Sequence, residues 1–404
     1  MSKIWVVSQF TDKFSTDTSN RYSYIFNQLK NDYQNDVRFV TSSFSHVTKS
    51  TKNIENQDIT LIDEPGYHKN ASVRRVFSHF LYALRSYKYL KKNVDKGDIL
   101  IVAIPSNTLA MLLAILKKRK NFTYIVDIHD TWPESLFPIL NTLIRFLSLP
   151  FFFLWREMRH IAVRNCDLLL AESRQYKDDH KGFLNPGIKS HSILLGADIT
   201  NLRSILPMNE KDDKKIRLVF AGTLGVNYDL DTIIRMIKSY DSSFRESNLE
   251  FVFFGNGEKE FMIKEAALEY PDLITHLNRT SYLEYISVLK SFDIGINSFQ
   301  RNTNVKYSYK SVDYLISGLP VLNSLEGEFS EDVLQNDIGV DYIASDIDSL
   351  FSAIKQITIN LREDRNWYKK NIENYINETL DRAKIYNPLF EFVQNVSSDS
   401  RKPL

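Results

Sequence analysis

Short β-branched runs alternating with longer amphipathic stretches, twice over, constrain this 404-residue chain more than any other feature. The runs at 4–8, 37–41, 99–103, 124–128, 168–171 and 191–195 are apolar without two-residue alternation. That is the mark of parallel strands covered on both faces. Between them, 22–30, 73–92, 109–118 and 143–164 repeat apolar residues at helical spacing. A second series predicts strands at 217–221, 250–254, 274–277, 294–297 and 320–323, and helices at 231–240, 258–268, 281–290, 311–317 and 349–361. Alternating β and α units require right-handed crossovers that wrap a parallel sheet. The expected fold is α/β: two Rossmann-like, doubly wound parallel-sheet lobes facing a cleft. The expected boundaries are 1–197 for the first lobe, 198–214 for a polar hinge and 215–370 for the second lobe. Residues 371–404 form a helical segment expected to cross back to the first lobe, with a break at Pro388 and a polar end over 397–404.

The single cysteine, Cys166, cannot form an internal disulfide, which suits a reducing compartment. No run reaches the roughly 20 apolar residues of a spanning helix. The first apolar run is too short for an export signal, so a cytoplasmic protein is expected. Net charge is +1, yet residues 1–200 carry +8 and the remainder −7. The basic half points to an anionic partner. Nucleic acid is not that partner, because no RNP-like or helix-turn-helix pattern is present. Segment 143–164 joins the aromatic run 151–155 to Arg145, Arg156, Arg159 and Arg164. It reads either as a core helix or as a helix lying in an anionic membrane interface. Segment 67–96 adds further lysines and arginines around Phe77, Phe80, Leu81 and Leu84.

Three turns carry chemistry. Ala221-Gly222-Thr223-Leu224-Gly225 follows a predicted strand and precedes a predicted helix, so its backbone N–H groups can approach a phosphate. It is neither GxGxxG nor a P-loop. Gly255-Asn256-Gly257 ends another strand, but Glu258 and Glu260 follow and suit a helix start better than a phosphate. Tyr309-Lys310-Ser311-Val312-Asp313-Tyr314 opens a helix that Gly318-Leu319-Pro320-Val321 closes. Lys310 and Asp313, three apart, share one face near the N-terminus. A lysine there suits a diphosphate, and a carboxylate one turn later suits ribose hydroxyls. Asp229-Leu230-Asp231 has DxD spelling, but helix capping accounts for it. No Cys/His cluster has metal-ligand spacing, so no metal site is expected.

The run from Tyr309 to Val321 resembles the P-x-K-x-x-E-Y-x-x-x-G-x-P-V signature of bacterial family 4 glycosyltransferases, which have the two-lobed GT-B fold. The resemblance extends over nearly the whole chain. In the second lobe the Gly222–Gly225 turn, the Gly255/Gly257 turn, Leu277-Asn278-Arg279-Thr280 and Ser291-Phe292-Asp293-Ile294-Gly295-Ile296 fall in the family's order. In the first, Asp127-Ile128-His129-Asp130-Thr131-Trp132-Pro133-Glu134 is similar to the D-x-x-D-x-W-P-E segment of enzymes that build O-antigen and capsule repeats. Residues 166–173 are similar to the family's "aD-x-i-i-a-x-S" strand.

The resemblance implies a retaining, metal-independent transfer of a sugar from a nucleotide-diphosphate donor, with uridine the favoured base and no resident cofactor. The acceptor it implies is a lipid-pyrophosphate-linked saccharide or glycan in surface-polysaccharide synthesis. It assigns Asp313 to the ribose, Lys310 and Ser311 to the diphosphate end, and Gly222, Thr223, Gly225 and Gly255 to turns around the donor. Arg279 would border the base, and His129 would contact the donor sugar. Three features depart from the pattern. Val305 stands where the first acid of an E-x7-E pair falls, with Asn304, Lys306 or Tyr307 as substitutes. Asn227 and Tyr228 stand where a lysine is usual. The stretch from Phe14 to Arg21 replaces a Gly-Gly pair. These departures keep two alternatives open: a nucleotide-sugar epimerase of the same fold, and a catalytically degenerate partner of a transferase.

Overall fold

The computed structural model describes residues 2–12, 14, 20–32, 36–69, 72–140, 142–212, 214–301 and 303–399. Most of the stretch that replaces the Gly-Gly pair (15–19), and the chain end over 400–404, lie outside the described residues. The chain divides into two compact units: Met1–Ile193 with Tyr386–Leu404, and Leu194–Ile385.

The first unit is built on seven strands: β1 Ile4–Val7, β2 Val37–Ser42, β3 Ile59–Ile62, β4 Ile99–Ile104, β5 Thr123–Ile128, β6 Leu168–Ala171 and β7 Lys189–Ser192. They are ordered β3-β2-β1-β4-β5-β6-β7, and every pairing is parallel. All six residues of β4 are buried, as continuous apolar runs predict for a strand covered on both faces. Strand β3 is an addition to the expected set. Its four residues, ITLI, sit at the sheet edge after a polar stretch, too short to show a period. The run expected at 191–195 pairs two residues earlier, over Lys189–Ser192. Its apolar residues Leu194 and Leu195 belong to the second unit's core instead. Arg21 and Asp127, both fully buried, form a two-pronged ion pair at 2.7 and 3.0 Å.

The second unit carries β8 Ile216–Ala221, β9 Leu249–Phe254, β10 Ile274–Leu277, β11 Ile294–Asn297, β12 Val321–Asn323 and β13 Gly339–Asp341. Their order is β10-β9-β8-β11-β12-β13, again all parallel. Chain direction across the sheet reverses between β8 and β11. The loops leaving those two strands therefore diverge and open a crevice at their carboxyl ends, where ligands of open α/β sheets bind. This is the α/β, two-sheet architecture expected from the alternating pattern.

Two local expectations are corrected. Pro388 does not break the last helix. It lies in the first turn of Asn387–Asp399, where a missing N–H is no loss, and the chain leaves helical geometry at Asp381 (ψ 104°). Asp229 does not cap its own helix, Leu230–Ser239. Its carboxylate accepts the Ser345 N–H at 2.7 Å, and Asp231 pairs with Lys259.

Candidate donor site and the first-unit histidine

The turn after β8 and the turn after β9 are packed backbone to backbone. Gly222 takes φ +119° and donates to the Phe254 carbonyl at 2.8 Å. Gly255 takes φ +143°, and a Cβ there would stand 1.8 Å from the Gly222 carbonyl oxygen. No side chain fits either conformation or the space. The glycines thus let the two turns share one surface. Thr223 is exposed at its rim, and Gly225 is half-buried.

The helix Tyr309–Ile316 begins beside that surface because β8 and β11 are neighbours. Its first turn is set by Ser308, whose hydroxyl oxygen accepts the Ser311 N–H at 3.1 Å. The Ser311 hydroxyl lies 2.7 Å from the Ser308 hydroxyl and is fully buried, so it faces inward to the cap. Removing the cap with Ser308→Ala is expected to cost about 1 kcal/mol of stability, read as a lower denaturation midpoint. Tyr314, one turn further on, lies against Gly295, where a Cβ would meet its ring at 2.3 Å. Its hydroxyl accepts the Ala221 N–H at 2.8 Å and donates to the Ile296 carbonyl at 3.1 Å. It thereby splices β8 to β11 just beyond their last paired residues, Gly295 and Val219.

Lys310 is the unusual group. Its side chain runs over Gly222, where a Cβ would come 2.8 Å from Lys310 Cε. Its ammonium lies 3.4 Å from the Tyr228 ring centre and 3.9 Å from that of Phe220. The nitrogen is buried and has no hydrogen-bond partner among the described residues. Burial holds it well below the usual lysine range, although Asp313 opposes this. Tyr228 and Phe220 thus form the aromatic seat of Lys310. Asp313 is buried, and Tyr282 donates to its Oδ1 at 3.0 Å. Burial raises its carboxyl to about 7, against Tyr282, Arg382, Tyr285 and Lys310. The side chain of Arg279 is exposed, and its N–H donates to Asn256 Oδ1 at 3.0 Å, which ties it to the Gly255 turn.

The structure therefore brings Gly222, Gly255, Lys310 and Asp313 together. It adds Tyr282, Tyr285 and Arg382, none of which the motifs had marked, and gives Tyr228, marked only as a departure, a place beside Lys310. Tyrosines three apart at 282 and 285 were the one visible signal, and that spacing is equally that of a core face. Of the substitutes for the missing acid, Tyr307 is buried against Phe329 with its hydroxyl on Tyr375, so it is a packing residue. Val305 packs against the core, and Asn304 and Lys306 remain half-buried.

In the first unit, His129 follows β5 and is half-buried beside Glu172, which follows β6. Burial and the nearby Arg21 guanidinium hold the imidazole down to about 4. The Asp127 carboxylate opposes that without prevailing, and the ring is neutral at pH 7. The flanking aspartates are structural: Asp127 is bound by Arg21, and Asp130 accepts from Trp132 Nε1 at 2.7 Å and from Ser135. Among the described residues no group of three or more His, Cys, Asp or Glu is arranged to hold a metal ion.

No protein-family profile matches the chain, and no curated protein sequence does. Solved structures do match across its whole length. A sucrose-phosphate synthase from Thermosynechococcus elongatus superposes with a TM-score of 0.71 at 12% identity, covering 99% of this chain and 100% of that one. Anabaena HepE in complex with UDP gives 0.64 at 11% identity, covering 98% and 100%. WaaG, a glycosyltransferase involved in lipopolysaccharide biosynthesis, gives 0.63 at 12%, covering 95% and 98%. HepE has also been solved with UDP-glucose. At these identities the likeness establishes the fold, which is the two-sheet GT-B architecture.

Proposed function

We propose that this protein is a glycosyltransferase that moves a sugar from a nucleoside-diphosphate donor, favouring UDP, to an acceptor in surface-polysaccharide synthesis. One observation carries the reading: a buried lysine ammonium without a hydrogen-bond partner among the described residues, seated on aromatic rings and pressed against a glycine turn at a strand switch point. A buried cation of that kind is costly unless an anion completes it. The turn's backbone amides and Lys310 suit the charge that grows on a leaving diphosphate as the glycosidic bond breaks. Asp313 accepts from the ribose hydroxyls. His129, a neutral imidazole, can accept a hydrogen bond from a sugar hydroxyl. The fold shared with proteins solved with UDP and UDP-glucose supports this reading. Retention of configuration and charge neutralisation by Lys310 and amides, without a metal, complete it.

The acceptor side of the proposal is a lipid-linked saccharide met at an anionic membrane surface. The helix Thr142–Arg164 leaves Leu143, Phe146, Leu147, Phe153 and Leu154 more than half exposed, near Arg145 and Arg156. Among the described residues no helix is long and apolar enough to cross a membrane, so the attachment proposed is peripheral. Flotation with anionic vesicles, compared with zwitterionic ones, tests it. Equal flotation would remove the membrane from the reading. A second reading, a degenerate partner, draws on Val305 at the position of the missing acid. It is distinguished by donor binding without any release of nucleoside diphosphate.

A thermal-shift screen against nucleoside diphosphates is the direct test. Saturating UDP at about 100 times its Kd is expected to add about 2.7 kcal/mol, or roughly 5–10 °C in midpoint. No shift with any nucleoside diphosphate would end the proposal.

A further inference from the structure

Three neighbouring strands of the second unit end on hydrogen-bonding side chains that the donor chemistry does not use. Asn297 ends β11, Asn323 ends β12 and Asp341 ends β13. Asn297 is in register with Asn323, and Asn323 with Asp341. In-register side chains on parallel strands about 4.8 Å apart share a face and can bond sideways, as asparagine ladders do. An apolar residue is the usual occupant of such a doubly covered strand, so the polar series calls for a reason.

Asn297 Nδ2 donates to Asn323 Oδ1 at 2.8 Å, and Asn323 Nδ2 donates to Asp341 Oδ1 at 2.7 Å. The backbone fixes the direction of the Asn323 amide. Its Oδ1 accepts the Leu325 N–H at 3.0 Å, and its Nδ2 donates to the Leu325 carbonyl at 3.0 Å. A backbone N–H only donates and a carbonyl only accepts, so one orientation satisfies both. That orientation makes Asn297 present Nδ2 to Asn323 and leaves Asn297 Oδ1 facing Ser308. The Ser308 hydroxyl donates to it at 3.1 Å. With its proton committed, the Ser308 oxygen is left to accept. It takes the Ser311 N–H at 3.1 Å and the Ser311 hydroxyl at 2.7 Å. Asn297 and Asn323 are fully buried and Ser308 is buried, whereas Asp341 is exposed on the edge strand.

We propose that Asn297 and Asn323 are positioning residues for the diphosphate end of the donor site, acting through Ser308 on the first turn of the helix Tyr309–Ile316. This deepens the donor reading and rests on it. The ladder fixes where the Ser308 oxygen stands, and that oxygen fixes the Ser311 N–H. The same first turn carries Lys310. Each donor from Ser308 onward points toward the Asp341 carboxylate, and hydrogen bonds aligned in one direction strengthen one another. The cap is thereby held by strands β11 to β13 rather than by one serine rotamer, and a small displacement of a charge-stabilising group is costly to binding and turnover.

The test is a double-mutant cycle on UDP affinity, measured by calorimetry well below the melting midpoint, in the full-length parent, Asn323→Asp, Ser308→Ala and the double variant. Asn323→Asp keeps the shape and the oxygen acceptors and removes the donors to Asp341 and Leu325. It is expected to weaken UDP binding about fivefold to tenfold, the worth of about one hydrogen bond. Ser308→Ala should lose about as much. The double variant should lose no more than the weaker-binding single, because both changes break one series. Amide exchange over residues 308–316 should quicken at least about tenfold in Asn323→Asp, with exchange over β8 unchanged. Asparagines that only stabilise the fold would lower the melting midpoint and leave the UDP affinity of the folded protein as it was. That result overturns the proposal, and so does a double variant whose losses add in full. Should Asn323→Asp fail to fold, Asn297→Ala opens the same series one strand nearer the helix and carries the same expectations. A parent that binds no nucleoside diphosphate removes the donor reading instead. The hold of the ladder on the helix start is then decided by exchange alone, and unchanged exchange over 308–316 ends it.

Discussion

K310M is expected to lose UDP binding and glycosyl transfer while unfolding at a higher temperature than the parent. The two halves of that result have one cause. Among the described residues the buried Lys310 nitrogen has no hydrogen-bond partner, and burial disfavours its charged form. A buried polar atom left unsatisfied costs about 1–3 kcal/mol, and more when charged. Methionine keeps the length of the stem over Gly222 and the contact with Tyr228 while removing that cost. With donor bound, the same ammonium meets a diphosphate, and its loss is expected to lower turnover by about 10²–10³-fold, the usual effect of deleting one charge-stabilising donor. Calorimetric titration with UDP, a thermal melt and product release under saturating donor check the three quantities. A variant that keeps UDP affinity, or that melts earlier, would show that Lys310 is a structural cation and not the diphosphate's partner.

D313N is expected to flatten a pH dependence of stability that the parent shows between about pH 4 and 7. Burial raises the Asp313 carboxyl to about 7 in the folded protein, against about 3.9 in an unfolded chain. Over that window the native state holds a proton that the unfolded state has released, so stability falls as pH rises. Near pH 8 the folded protein carries a buried carboxylate at a cost of about 4 kcal/mol, counted at 1.36 kcal/mol per pH unit. Asn cannot ionise, so D313N should be more stable than the parent at pH 8 and close to it at pH 4. Its UDP affinity should fall at least about tenfold, since a charge-assisted acceptor for the ribose hydroxyls is gone. Denaturant titrations at the two pH values, with UDP binding at pH 8, decide it. An unchanged pH profile would mean that Tyr282, Tyr285, Arg382 and Lys310 keep the carboxylate charged in the native state.

A stranded ammonium and a reluctant carboxylate sit on one helix face, kept apart from water by tyrosines. A protein tolerates such groups where binding repays the cost. The Ser308 cap and the Tyr314 hydroxyl keep the helix start in register with the glycine turn.

Residue order alone made legible the alternation of strands and helices, the two-sheet α/β class, the glycines at the strand ends, and the pairing of Lys310 with Asp313 on one helix face. Each of these depends on residues within about one or two turns of each other, where spacing and turn chemistry act directly. What surrounds them came from packing between distant segments. Tyr228 comes under Lys310 from 82 positions earlier, Tyr282 reaches Asp313 from another helix, and Gly255 abuts Gly222 through a strand pairing. The order of strands in a sheet is set by packing and crossover geometry, not by any local run of residues. Burial, and with it the charge state of every group in the site, follows from that order.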